Sequence, residues 1–174
     1  MPNLESHSDR IARMRRAYEE AHGRFVSRLQ SVPADLAERV PAEGGWSAAQ
    51  IGWHVAAVDA GFADLMSGAR PTQPLPEDFR ERQWIDVAAE VPAKLQAPRS
   101  VTPPDHVRRD EVLIALEASA RKVVEALQAL TADRASRFGV THRSVGTVTL
   151  YQVGEWATAH TIRHNAQAKQ VLGR

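Results

Sequence analysis

Apolar side chains recur at steps of three and four along four separate stretches of the chain, the spacing of helices that bury one face. The first stretch runs Ile11, Met14, Tyr18, Ala21, Phe25 and Leu29, and Pro33 marks its end. From Pro33 to Gly45 the chain reads as a connection, with a single turn around Asp35 to Arg39. Ser47 then opens a second helix. Ser47 and Gln50 have the spacing of a capping box, and Trp46 and Ile51 sit where a hydrophobic staple would. The inner stripe of this helix is Ile51, His54, Val55, Val58, Phe62, Leu65 and Met66, with Gly68 and Pro71 as its stop.

Between Gly68 and His106 the periodicity breaks, and seven of the ten prolines fall there. This predicts a long connection with one short helix around Phe79 to Ala89, serving as a functional lid or as a plain crossover. A third helix follows on Val112, Leu116, Ser119, Val123, Leu127 and Leu130, then a loop from Asp133 to Gly146 that contains Phe138-Gly139 and His142. Thr149 and Gln152 repeat the capping-box spacing and open the fourth helix. Its stripe is Val153, Ala157, His160, Thr161, His164, Ala168 and Val171, closing at Gly173. Four helices of about twenty residues, each about 30 Å long, predict an all-α four-helix bundle spanning residues 1–174 as one domain.

Composition narrows the chemistry. The 174 residues include no cysteine, so disulfides are excluded and any metal must be held by nitrogen or oxygen. A formal net charge of +1 gives no field for nucleic acid or an anionic membrane, which leaves small molecules or protein as partners. The Met1-to-Glu5 segment lacks a leader pattern, and no apolar run is long enough to span a bilayer, so a cytoplasmic location is expected. Glycine-rich phosphate loops and internal repeats are both missing from the sequence.

Seven histidines are present, and three fall on buried stripes. His160 and His164, at i and i+4, project from one helix face and can reach one ion with nitrogen–metal distances near ~2.1 Å. If the second and fourth helices run antiparallel, His54 stands about 10 Å from the start of its helix and His164 about 12 Å from the end of its own. The three rings then share one height. Taken alone, His54 would be a core histidine bonded to a backbone carbonyl; the convergence favours a metal site instead. His7, His22, His106 and His142 read as surface or loop residues, with His142 nearest the site mouth. Gln167, one turn after His164, and Gln50, one turn before His54, are candidates to orient an imidazole, although Gln50 also has a capping role and Gln167 can face solvent. Trp84 and Phe79 could cover the site or pin the connection to the helices. Asp59, about 140° around the helix from His54, reads as a solvated-face residue and not as a general base.

The stretch Gly45-Trp46-Ser47 through Gly52-Trp53-His54, joined to His160-Thr161-Ile162-Arg163-His164-Asn165-Ala166-Gln167, resembles the DinB/YfiT-like family of metalloenzymes. The likeness extends over nearly the whole chain, through the Leu36-to-Gly45 approach, the long crossover between helices two and three, and Gly146-Thr147-Val148-Thr149. The resemblance implies an up-down-down-up bundle, metal ligation by His54, His160 and His164, and commonly a homodimer. Family members with known roles include thiol-dependent transferases and an isomerase that uses a low-molecular-weight thiol.

Three neutral imidazoles leave the charge and some coordination positions of a divalent ion unfilled, the arrangement of a catalytic site. Such an ion could activate water, or bind an incoming thiol as thiolate and present it to an electrophile. Without protein cysteine the second route needs an external low-molecular-weight thiol. The residues leave both routes open, and the resemblance implies the second, a metal-dependent thiol transferase or isomerase acting on a small molecule, with a metal-dependent hydrolase or a non-catalytic metal- or ligand-binding dimer as alternatives. Zinc, nickel, iron and manganese all suit histidine nitrogen.

Overall fold

Each long helix begins at a residue able to cap it or to carry extended backbone into it, so the element boundaries follow local chemistry. The computed structural model describes residues 5–92 and 96–173; the Met1-to-Leu4 segment read above for a leader lies outside the described residues. Helix α1 (His7–Gln30) starts where the Ser6 hydroxyl accepts from Asp9 N. The short α2 (Ala34–Glu38) is the single turn expected after Pro33. α3 (Ala48–Ser67) opens on the Ser47–Gln50 capping box and ends at Gly68, whose φ of 89° is the left-handed conformation that glycine adopts without strain.

The connection after α3 contains β1 (Gln73–Pro74), α4 (Trp84–Ala89) and a 3-10 turn at Arg99–Val101. α5 (Arg109–Ala129) and α6 (Ala132–Arg137) lead into β2 (Phe138–His142) and β3 (Gly146–Thr149). α7 (Leu150–Val171) closes the chain behind the second capping box, in which Thr149 and Gln152 each satisfy the other's backbone N–H.

The protein is mostly helical, and its four long helices pack on one another: α3 against α5 and α7, and α1 against α5 and α7. Polar contacts give the helix directions. Arg10 reaches Glu155 and Arg28 reaches Asn165, so α1 and α7 advance together. Met66, near the end of α3, lies beside Gly154, near the start of α7, so that pair runs in opposite senses. Gly154 is where three helices converge on α7: a Cβ there would stand 2.9 Å from Leu127, 3.1 Å from Met14 and 3.4 Å from Met66. One part of the core gathers Met14, Tyr18, Met66, Leu127 and Val153, and the other Phe25, Leu29, Ile51, Val55 and Leu116. Among the described residues, no helix is long and apolar enough to cross a membrane.

Three expectations need correction. The Asp133-to-Gly146 segment is not a loop: it holds α6 and most of a hairpin, and β1 joins to give an antiparallel sheet in the order β1-β2-β3, with Val140 opposite Val148 and Gln73 opposite Gly139. Strands this short leave too few alternations to stand out from a loop. Asp59 does not face solvent; it is fully buried and accepts a hydrogen bond from the Tyr18 hydroxyl at 2.7 Å. His22, read as a surface residue, is also buried, with Nε2 lacking a partner among the described residues. Both errors have one cause. Each side chain turns towards a neighbouring helix and away from water: Asp59 of α3 meets Tyr18 of α1, and His22 of α1 meets the Leu116 backbone of α5.

Burial pushes the Asp59 carboxyl up to about 8, against the opposing hydrogen bond from Tyr18. The folded state holds this proton more tightly than the unfolded one, so its contribution to stability is fully present below about pH 4 and is lost as pH rises towards about 8. Between about pH 7 and 8, above the range in which the buried histidines with lowered pKa values titrate in the unfolded chain, denaturant titrations are expected to show stability falling with pH by up to about 1.4 kcal/mol per unit. Asp59→Asn should flatten that slope.

Candidate metal centre

His54 lies two turns into α3, and His160 and His164 lie past the middle of α7. Because the two helices run in opposite senses, the three rings meet. Their centroids are 5.1 Å apart for His54 and His160, 4.8 Å for His54 and His164, and 4.4 Å for His160 and His164. One nitrogen from each ring can be chosen so that all three lie within 4.8 Å of one another. The Nε2 atoms of His54 and His160 stand 3.2 Å apart. Two nitrogens bound tetrahedrally at ~2.1 Å would be separated by about 3.4 Å, so this spacing suits ligands of one cation.

Hydrogen bonds on the far side of two rings set their tautomers. His54 Nδ1–H donates to the Val101 carbonyl at 2.7 Å, which leaves the Nε2 lone pair turned towards His160. His164 Nδ1–H donates to Gln167 Oε1 at 2.8 Å, with the same consequence for its own Nε2. His160 Nδ1 is buried and has no partner among the described residues.

His54 is buried, His160 and His164 are half-buried, and positive charge is unwelcome there. Burial lowers all three imidazole pKa values: His160 falls furthest, helped by its two neighbouring histidines, and His164 falls to about 4. At neutral pH the rings are uncharged, and uncharged imidazole is the form that ligates a metal. The donor set therefore fits a divalent ion: three nitrogen donors, two of them oriented by acceptors behind them.

Aromatic rings surround the cluster. Trp46 packs at 5.0 Å from His54, and Phe62 meets His160 edge-on at 6.1 Å. Trp156, one turn before His160, touches Phe62, Trp84 and His142. His142 thus approaches the site through Trp156, while Trp84 pins α4 to α7. Phe79 lies elsewhere, lining a surface cleft with Arg80, Arg82 and the β2–β3 turn. His7 bonds the Tyr151 hydroxyl and His106 is exposed.

Of the two candidate glutamines, Gln167 orients the His164 ring directly. Gln50 does not touch the imidazoles: its oxygen caps α3, and its nitrogen donates to the carbonyls of Pro104 and Asp105. The backbone-carbonyl partner weighed for His54 is present, supplied by Val101, and it occupies Nδ1 while Nε2 stays with the cluster; which carbonyl would serve carried no signal, because a main-chain acceptor is independent of its side chain.

A mostly helical domain with three converging histidines on two antiparallel helices belongs to the class of helical proteins built around a possible metal site. The chain is a member of the DinB superfamily, whose family model matches residues 17–168. No curated protein matches it.

If Gln167 orients His164, replacing it with leucine should weaken zinc binding by about tenfold or more, measured by competition with a chromophoric chelator. His164→Ala should weaken it further.

Proposed function

We propose that the chain is a metal-dependent enzyme in which His54, His160 and His164 hold one divalent ion and an external low-molecular-weight thiol is transferred to, or assists isomerisation of, a small electrophilic substrate. The observation that carries this reading is the gathering of three uncharged imidazoles with their ligand atoms within 4.8 Å. We read the scaffold as an up-down-down-up four-helix bundle with residues 68–106 as its crossover. The shared direction of α1 and α7, and the opposed directions of α3 and α7, support that topology.

When bound, a divalent ion on three neutral donors supplies a Lewis acid with positions left for a reactant. The protein's own residues do the rest. Val101 and Gln167 fix the proton-bearing nitrogens of His54 and His164 and leave their Nε2 atoms free to ligate. Trp46 and Phe62 flank the rings with apolar surface, which limits water around the reacting groups. The chain has no cysteine, so any thiol in the reaction is a cosubstrate. Asp59, the carboxylate on α3 nearest His54 in sequence, is engaged with Tyr18 in the core and cannot serve as a base for a hydrolase.

Two measurements test the reading. Protein purified without a metal-affinity tag should contain close to one equivalent of a divalent metal, and His160→Ala should contain little; full metal content in that variant would refute the ligand assignment. Single-turnover kinetics of the metal-loaded protein with an activated electrophile should depend on added thiol and stop on chelation. Turnover without thiol would identify a hydrolase, and metal binding without any turnover a binding module.

A further inference from the structure

The oxygen and the nitrogen of the Gln50 side chain do different work. The oxygen accepts from Ser47 N at 2.9 Å and completes the α3 cap. The nitrogen donates to the Pro104 carbonyl at 2.9 Å and to the Asp105 carbonyl at 3.2 Å, in the connection between α3 and α5. Three residues upstream of Pro104, the Val101 carbonyl accepts the His54 Nδ1 proton at 2.7 Å. His54 itself stands one helical turn after Gln50. A closed circuit therefore runs from Gln50 along the connection to Val101, across to His54, and back down α3.

The short span between the two anchors is stiff. Pro103 and Pro104 each have φ fixed by the ring. Thr102 N donates to the Arg99 carbonyl, and Thr102 Oγ1 donates to the Pro98 carbonyl at 3.0 Å, closing the turn that carries Val101. Gln50 and Pro103 are buried, while Pro104 and Asp105, whose carbonyls Gln50 holds, are exposed, so the anchor lies where the connection reaches the surface. Moving Pro104 moves the Val101 carbonyl with it.

The geometry points to Gln50 as a positioning residue of the three-histidine centre, acting at a distance through the main chain of the connection. By holding Pro104 and Asp105 it places the Val101 carbonyl, which decides that His54 carries its proton on Nδ1 and turns Nε2 towards His160 and His164. Where the metal is concerned, this inference rests on the function proposed above; the effect on the His54 tautomer stands without it. Coupling of this kind is reciprocal: a cation that requires His54 in this pose favours the connection in this pose.

The two roles of Gln50 can be separated by mutation. Gln50→Glu keeps an oxygen for the cap, since glutamate is the usual capping-box partner, but sets an acceptor against two carbonyl oxygens. Ser47→Ala removes the cap hydroxyl and keeps the Gln50 nitrogen. We expect Gln50→Glu to weaken zinc binding by about tenfold to a hundredfold and to move the His54 proton off Nδ1 in metal-free protein, read by nitrogen-15 NMR of the imidazoles. Ser47→Ala should lower the thermal midpoint yet keep wild-type zinc affinity. In the wild-type chain, zinc should slow amide hydrogen exchange in a peptide covering residues 99–107.

Wild-type zinc affinity and an unchanged His54 tautomer in Gln50→Glu would overturn the proposal, as would an equal loss of affinity in Ser47→Ala. If the wild-type chain binds no zinc, the three-histidine function fails, and the tautomer comparison alone decides the role of Gln50. If Gln50→Glu does not fold, the wild-type measurements decide it: His54 protonated on Nε2, or exchange at 99–107 indifferent to zinc, would rule the role out.

Discussion

The arrangement depends on one constraint, that three imidazoles from two helices, one buried and two half-buried, occupy the same height. A buried polar ring atom without a partner costs about 1–3 kcal/mol, and here the Nε2 atoms of His54 and His160 face each other at 3.2 Å. Two of the three rings are relieved on one side, His54 by Val101 and His164 by Gln167. Their inward nitrogens converge on a space that a cation would satisfy. The antiparallel run of α3 and α7, the lengths of both helices and the caps that begin them all serve that meeting.

Much of this was legible in the residues. The capping boxes at Ser47 and Thr149 set where each helix starts, and the rise per residue then put His54 and His164 level. The i and i+4 spacing of His160 and His164 put both on one face. Other features were not legible. The Asp59 rotation relative to His54 was read correctly as an angle, but its surroundings depend on α1 packing against that side of α3, which periodicity does not encode. His22 was misjudged for the same reason: it too points at a neighbouring helix. The β2–β3 hairpin escaped notice because its turn, Arg143-Ser144-Val145, lacks the asparagine–glycine or aspartate–glycine signal that marks the tightest hairpins.

The connection between α3 and α5 is more than a tether. Its proline-rich second half supplies the carbonyl that orients His54, while its short helix α4 packs Trp84 on Trp156 of the histidine-bearing helix. Arg163, next to His164, donates to the Pro92 carbonyl and holds the segment from a third point. Prolines suit that duty, since a chain with fewer backbone conformations loses less entropy when it is fixed over a site. The long connection, which periodicity alone left undecided between lid and crossover, thus contributes directly to the geometry of the centre.

The central claim, that the three rings share one cation, is tested most directly by X-ray absorption spectroscopy of the zinc-loaded protein beside His54→Ala. The account predicts a first shell with three imidazole nitrogens near ~2.0–2.1 Å, falling to two in the variant. A shell that holds fewer than three imidazoles, or one unchanged by removing His54, would contradict it.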